Sequence, residues 1–446
     1  MKIETSRFIE LDDTNAIGQS MYHLAEELFP ICRSITGDGV RKTFSILKRE
    51  LPALLVHEVP TGTKCFDWTI PNEWNLYEAY IAKMNGERII DVRNNNLHIV
   101  SYSETIDRIV SRVELEEHLY SRPDLPEAIP YVTSYFQRKW GFCLSHDQRQ
   151  LLQDPSYKVK IISTLAPGSL TYADLVIKGE TSEEILISTY VCHPSMGNNE
   201  TSGIVVATQL ARFVLSLAKR RFTYRFVFVP ETIGSIAYLS NNLAHLKAKV
   251  LAGFVLTCVG DDRNYSLMPS RKGNTIADRV SRHVLDYVLK KKFHTYSFLE
   301  RGSDERQYCA PGVDLPVVSI MRSKYGTYPE YHTSLDNMDL ISSEGLYGGY
   351  LANRLCLECL EINETLKATM ICEPFLSPRG LRPPLINGVS MAGWARNISN
   401  ILAYADGELD LIAMAELFKM SIFELLPAVL KLKEAGLLNS LNKYLE

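Results

Sequence analysis

Residues 185–203 read ILISTYVCHPSMGNNETSG, and the fold is decided by how that stretch is parsed. A β-branched apolar run ends at His193, a polar loop rich in Gly and Asn follows, and a helical pattern, SGIVVATQLARFVLSLAKR, starts at Ser202. Strands buried on both faces read as near-continuous apolar runs. Strand, loop and helix in succession make the unit of an α/β sheet. The same texture recurs from Tyr157 to about Leu366. Candidate strands are KVKIISTL, DLVIKGE, EILISTYVC, YRFVFVPE, AGFVLTCVG and PVVSIM. Candidate helices are SIAYLSNNLAHLKAK, NTIADRVSRHVLDYVLKKK and the long segment around Cys356. An α/β sandwich with helices on both faces is expected, and in such sheets function gathers at the carboxyl ends of strands.

Upstream, residues 14–50 read as two helices separated by FPICRSITGDG. From about Val56 to Gln148 short β-type runs (TKCFDWTI, YEAYIAKM, RIIDVRN, LHIVSYS) alternate with turn residues, and Trp68, Trp74 and Trp140 all lie there. Downstream, 367–385 is proline-rich and aperiodic, a linker. Three short helical patterns close the chain and resemble a winged helix. The expected domains are therefore N-terminal helices (1–55), an inserted β-rich domain (56–150), the main α/β domain (151–370) and a winged-helix-like domain (380–446).

A chain of 446 residues exceeds one ordinary core. A net charge of −4 gives no electrostatic footprint for nucleic acid, and the third C-terminal helix carries Glu424, Lys431, Lys433 and Glu434, a balanced face. No apolar run approaches the roughly 20 residues that span a bilayer, and MKIETSRFIELDD lacks the apolar core of a secretory signal. A cytoplasmic protein is expected, with its nine scattered cysteines reduced and Cys356 and Cys359 packed in the core.

Four loops carry the candidate chemistry. His193 follows a strand directly. Asp304 lies in RGSDERQYCAPG, and His332 in YPEYHTSLDN. Two imidazoles and a carboxylate make a zinc set, with a fourth position left for water. Glu231, in VFVPETIGS, stands at a strand end before a helix, placed for a base. Each has a plainer reading: a strand-end histidine bonded to backbone, a surface loop, a helix cap, a helix-dipole partner.

The order HPS, NNETSG, PETIGS, SD, HTSxD resembles the co-catalytic zinc aminopeptidases over roughly residues 157–366. The whole chain is similar to bacterial aminopeptidase-like proteins that carry an inserted domain of unknown function and a C-terminal winged helix and are often linked to surface-polysaccharide biosynthesis. CRSITGDGVRKT, VPTGTKCFDWTIPNEWN, AIPYVTSYFQRKWGFCLSH, CHPSMGNNETSG and PETIGSIAYLS carry that likeness. The resemblance implies a three-layer α/β/α aminopeptidase-like sandwich and a metal site. Where the two-zinc pattern has a bridging aspartate this chain has Asn199. It has Thr232 for the second glutamate and Ser195 for the aspartate after the first histidine. Asparagine and threonine are poor zinc ligands, so one zinc per chain is expected, on His193, Asp304 and His332.

Glu231 is then the general base, and Glu200 a further catalytic group, a fourth ligand or a residue tuning the site from behind. Tyr325, Tyr328 and Tyr331 are candidate oxyanion donors, and Arg301 and Arg306 candidate clamps for a substrate carboxylate or phosphate. The expected reaction is hydrolysis of an amide or peptide bond on a small substrate, without nucleic acid or membrane, and the resemblance implies an amino-sugar-derived one. The added domains offer surfaces for homo-oligomerisation. A non-catalytic binding protein on a degenerate peptidase is the alternative, and single-zinc cyclase chemistry a third.

Overall fold

The computed structural model describes residues 14–381 and 393–441, which fall into two compact units. The stretch MKIETSRFIELDD, the end of the proline-rich linker and residues 442–446 lie outside the described residues. In the larger unit, the main sheet runs in the order Leu55–Pro60, Ser169–Ile177, Thr223–Val229, Glu184–Tyr190, Val250–Leu256, Val317–Met321, Tyr265–Met268. Its four central strands, from 223–229 to 317–321, are parallel, and the flanking strands are antiparallel. Glu184–Tyr190 and Thr223–Val229 are buried at every residue, as the unbroken apolar runs require.

The chain leaves strand 184–190 through helix Ser202–Ser216 to reach its neighbour 223–229 on one side. It returns through helix Ile233–Lys249 to strand 250–256 on the other. With right-handed crossovers, that reversal puts the two helices on opposite faces of the sheet, giving three layers. It also opens a crevice beyond the carboxyl ends of 184–190 and 223–229. The register pairs Tyr190 with Val229, so His193 and Glu231 emerge side by side.

A second, antiparallel sheet in the same unit is ordered Arg88–Asp91, Glu73–Ala82, Ser156–Ala166, Ile106–Ser111. Two strands trade places relative to expectation. Leu55–Pro60 pairs in the main sheet, whereas KVKIISTL forms part of the long central strand of the small one. LHIVSYS is not a strand: Asn95 accepts a bond from Leu97 N at 2.9 Å and starts a 3-10 turn over Asn96–His98. The segment 32–37 is stitched to the small sheet's loops by Ser34–Ser101 (2.7 Å) and Thr36–Tyr102 (2.6 Å) hydroxyl pairs.

In the smaller unit, helices Gly393–Tyr404, Leu411–Leu417 and Ile422–Glu434 accompany a sheet of Asp406–Asp410, Thr365–Ala368 and Leu438–Leu441, a winged-helix arrangement. The expected linker thus begins with a strand. All nine cysteines are free thiols, with Cys356 and Cys359 buried. No described helix is long and apolar enough to cross a membrane.

Candidate metal and substrate site

A cavity of about 320 Å³ lies in the crevice, lined in part by Cys192, His193, Glu231, Thr232, Arg306 and His332. His193 and His332 face each other with ring centroids 5.3 Å apart. The Nε2 of His193 stands 3.7 Å from a Glu231 carboxylate oxygen. Two strand ends and the 328–336 loop converge here as the parallel register dictates.

His193 is fixed from behind. Glu200 accepts its Nδ1 at 2.9 Å and its backbone N–H at 2.6 Å, and the other Glu200 oxygen takes Cys192 N at 2.7 Å and Arg33 Nε at 2.9 Å. Arg33 and Glu200 are both fully buried, and Arg33 also donates to the His193 carbonyl at 3.0 Å. A carboxylate behind a histidine sets its tautomer and aims its other nitrogen forward. Burial opposes protonation of this imidazole, but Glu200 outweighs it and raises the pKa.

Glu200 itself comes from a π-helical turn, Gly197–Thr201, that is wholly buried. With both oxygens occupied by four partners and no place in the cavity wall, it does not stand as a catalytic group or fourth ligand. Gly203 lets helix 202–216 press on the sheet, since a Cβ there would meet Leu256 O at 2.5 Å.

Asp304 is completely buried. Its Oδ1 accepts from Thr232 N and Ser235 Oγ, each at 2.8 Å, while Oδ2 has no partner. The Nε2 of His332 is likewise buried and unpartnered. Buried polar atoms without partners are uncommon, and a missing ion or water is among the reasons for them. Burial, with the nearby Glu231 charge, pushes Asp304 up to about 7. Burial raises Glu231 against the pull of His193 and Arg306. Burial, then the neighbouring His193, lowers His332 to about 3, so its ring is neutral, the form that binds metals.

These donors suit one divalent ion in kind. In spacing they stand open: among the described residues, the three ligand-type groups within 4.8 Å of one another are Cys192, His193 and Glu200, not the expected trio. That closer group is unsuited, because Glu200 is saturated and burial pushes the Cys192 thiol well above its ordinary pKa. The three positions that depart from the two-zinc pattern carry neutral side chains engaged in other hydrogen bonds. Asn199 Oδ1 accepts from Tyr190 at 2.8 Å, Thr232 Oγ1 accepts from Arg306 at 2.5 Å, and Ser195 Oγ donates to Phe29 O at 3.2 Å.

Thr232 has φ 64° and ψ −74°, and Ile233 N bonds to Glu231 O at 2.8 Å. This is a γ-turn of the rare, strained hand, and in a β-branched residue a genuine outlier. Asp304 and Arg306 hold it from either side.

The other candidates divide. Tyr331 stacks on His332 at 3.9 Å. Tyr325 is turned away: its hydroxyl donates to Glu305 at 2.6 Å and accepts from Gly302 N at 2.9 Å. Tyr328 donates to Asp336 at 2.9 Å. Neither lines the cavity. Arg301 lies over the Phe298 ring and Arg306 is in the wall. Residues that went unassigned in the sequence complete the enclosure: Trp68, Tyr131, Thr133, Tyr135 and Phe136. Tyr131 lies 5.0 Å from His193 and 5.3 Å from His332, ring to ring, and its N–H bonds to His332 O at 2.9 Å. The available signal was the aromatic, aperiodic run YVTSYF.

A family model described as a domain of unknown function (DUF4910) matches residues 22–363, and a winged helix-turn-helix model matches 364–440. A protein of Clostridium acetobutylicum, described as a "putative polysaccharide biosynthesis protein with aminopeptidase-like domain", is 43% identical over 379 residues, 85% of this chain and 86% of that one. A crystal structure of a "putative peptidase" from Clostridium acetobutylicum superposes with TM-score 0.91 at 39% identity, covering 98% of this chain and 99% of that one. The Bacillus subtilis zinc aminopeptidase BSAP shares the fold, at TM-score 0.55 and 15% identity over 77% of this chain and 94% of that one. The chain belongs to the DUF4910 family, an aminopeptidase-like three-layer fold followed by a winged helix-turn-helix.

Proposed function

We propose that the chain is a zinc-dependent hydrolase of amide or peptide bonds in small substrates, with Glu231 as general base. The observation that carries this reading is the half-buried Glu231 facing His193 Nε2 across a cavity in which Asp304 Oδ2 and His332 Nε2 lack partners. His193, Asp304 and His332 would hold one zinc per chain. Zinc, when bound, polarises a carbonyl and lowers the pKa of water towards about 7. Glu231 is placed to take a proton from water on its carboxylate oxygen and return it to the leaving amine. Glu200 and Arg33 act as positioning residues for His193. Tyr131 and Tyr135, joined hydroxyl to hydroxyl at 2.7 Å, exclude bulk water on the far side.

The description of the Clostridium acetobutylicum relative supports placing the substrate in polysaccharide biosynthesis, and we propose an amide of amino-sugar type. For the winged helix we propose protein docking or self-association rather than nucleic acid. Lys431 and Lys433 each face a glutamate, Glu434 at 3.0 Å and Glu364 at 2.5 Å, so the charge on the third helix is balanced there.

A panel of aminoacyl and N-acyl-sugar amides, assayed with and without chelator, tests the reading. Glu231→Gln should lower turnover about 10²–10⁴-fold. Hydrolysis that survives both chelation and Glu231→Gln defeats it. A second reading, a binding protein on a disabled peptidase, draws support from the neutral Asn199 and Thr232 and from the open spacing of the ligand trio. Zinc uptake without turnover on any amide would favour it.

A further inference from the structure

Among the described residues Arg306 is the one arginine or lysine in the cavity wall; Glu231 in the same wall feels its charge but makes no ion pair with it. Its Nη2 donates to the Thr232 hydroxyl at 2.5 Å, while its Nε is buried without a partner. Among the described residues no carboxylate stands within ion-pair distance of it. A guanidinium offers five donors in a planar fork, and a buried donor left unmet is destabilising. Opposite in character are Trp68 and Phe136, which also line the cavity. They meet edge to face with centroids 5.8 Å apart, and are 36% and 62% exposed. Large aromatic rings left in solvent around a cavity mark a place where another ring or apolar group settles.

From this juxtaposition we infer that the substrate is an acidic, ring-bearing amide: Arg306 receives its carboxylate and the Trp68–Phe136 pair takes its ring. The inference rests on the hydrolase reading of the same cavity and names its substrate class, N-acylated amino acids or their like rather than peptides with a free α-ammonium. An ammonium near Arg306 would be repelled. The two neutral positions, Asn199 and Thr232, offer it no carboxylate, since Asn199 already accepts from Tyr190. A carboxylate, in contrast, meets a fork of matching geometry.

The test is binding of N-acetyl-L-phenylalanine, N-acetyl-L-phenylalaninamide and L-phenylalaninamide to the full chain by calorimetry, repeated in chelator. The free acid should bind about tenfold or more tightly than the neutral amide, since charge-assisted hydrogen bonds contribute about 1.5–3 kcal/mol. Arg306→Gln should erase the preference, Arg306→Lys should keep part of it, and Trp68→Ala should weaken the acid and the neutral amide alike. Equal affinities in the parent protein, no binding at millimolar concentration, a preference for the free amine, or a preference for the acid that survives Arg306→Gln would each overturn the inference. The parent comparison stands even if Arg306→Gln disturbs the Thr232 turn. Selective binding of the acid without hydrolysis of any amide would sink the hydrolase reading alone. Hydrolysis indifferent to the acid group would sink the inference alone.

Discussion

His193 and His332 look into the same cavity and are held in opposite ways. His193 is clamped through its ring and backbone by a buried carboxylate, itself clamped by a buried arginine. His332 sits at φ 55°, stacked on Tyr331, with its backbone tied to Tyr131 and its Nε2 bonded to nothing. The first is complete as it stands. The second leaves its Nε2 without a hydrogen-bond partner, as Asp304 leaves its Oδ2. One half of the site is held by hydrogen bonds, and the other half carries the unpartnered atoms.

The contrast breaks most visibly at Arg33. Arg33→Met strands Glu200 as an uncompensated buried charge, a loss of about 3–5 kcal/mol, read as a lower denaturation midpoint. The double variant Arg33→Met, Glu200→Leu should regain much of that stability, because an apolar pair of similar size replaces a buried ion pair at little cost. It should not regain function, since nothing would then aim His193. Recovery of both would show that the clamp is only structural.

On the other half the expectation reverses. His332→Ala and Asp304→Asn remove the two unpartnered atoms, and asparagine can keep the Oδ1 bonds to Thr232 N and Ser235 Oγ, so folding should change little. Bound zinc, by elemental analysis, should fall from one per chain to near zero. A variant that keeps its zinc would move the site to the Cys192 side of the cavity.

Tyr325→Phe should cost about 1–2 kcal/mol through its lost hydrogen bond to a buried acid, with turnover per folded molecule unchanged. A fall in turnover would return Tyr325 to the site. The smallest effect concerns Arg41 and Glu73, far from the cavity wall. The Arg41 bond, against the opposing effect of burial, holds Glu73 down at about 2, well below its ordinary range. The stabilisation is therefore present above the unfolded carboxylate pKa near 4.3 and is lost as pH falls through 2. The deficit of Arg41→Gln relative to the parent should be full at pH 7 and shrink below about pH 4.

What was legible in the sequence is what lies close along the chain. His193 and Glu231 stand two or three residues past strands whose apolar runs announce them, and parallel neighbours then bring them together. Apolar content alone assigns KVKIISTL to the main sheet, and its finer pattern does not. Its burial alternates at Tyr157, Val159 and Ile161, the period of a half-exposed antiparallel strand, and Pro167–Gly168 separates it from the main sheet. Asn95 hid the 3-10 turn as an ordinary loop residue, although its side chain commonly caps such turns. Arg33 and Tyr131 were out of reach for another reason. Their partners lie far away in the sequence, and a lone arginine or tyrosine carries no local signature of such a contact. Tyr325 shows the converse: a tyrosine close to His332 in sequence is bonded to an acid behind it.

The 129–131 segment pairs with 332–334 through a short bridge and through Ile129 N to Ser334 Oγ at 3.0 Å, a closure spanning 205 positions. Contacts so distant form late, because the loop entropy must be met first. During synthesis, then, the mouth of the cavity stays unfinished until the chain has grown past residue 334. Until then Glu231 and His193 lack the wall that Tyr131 and His332 provide, so the enclosed pocket belongs to the completed fold alone.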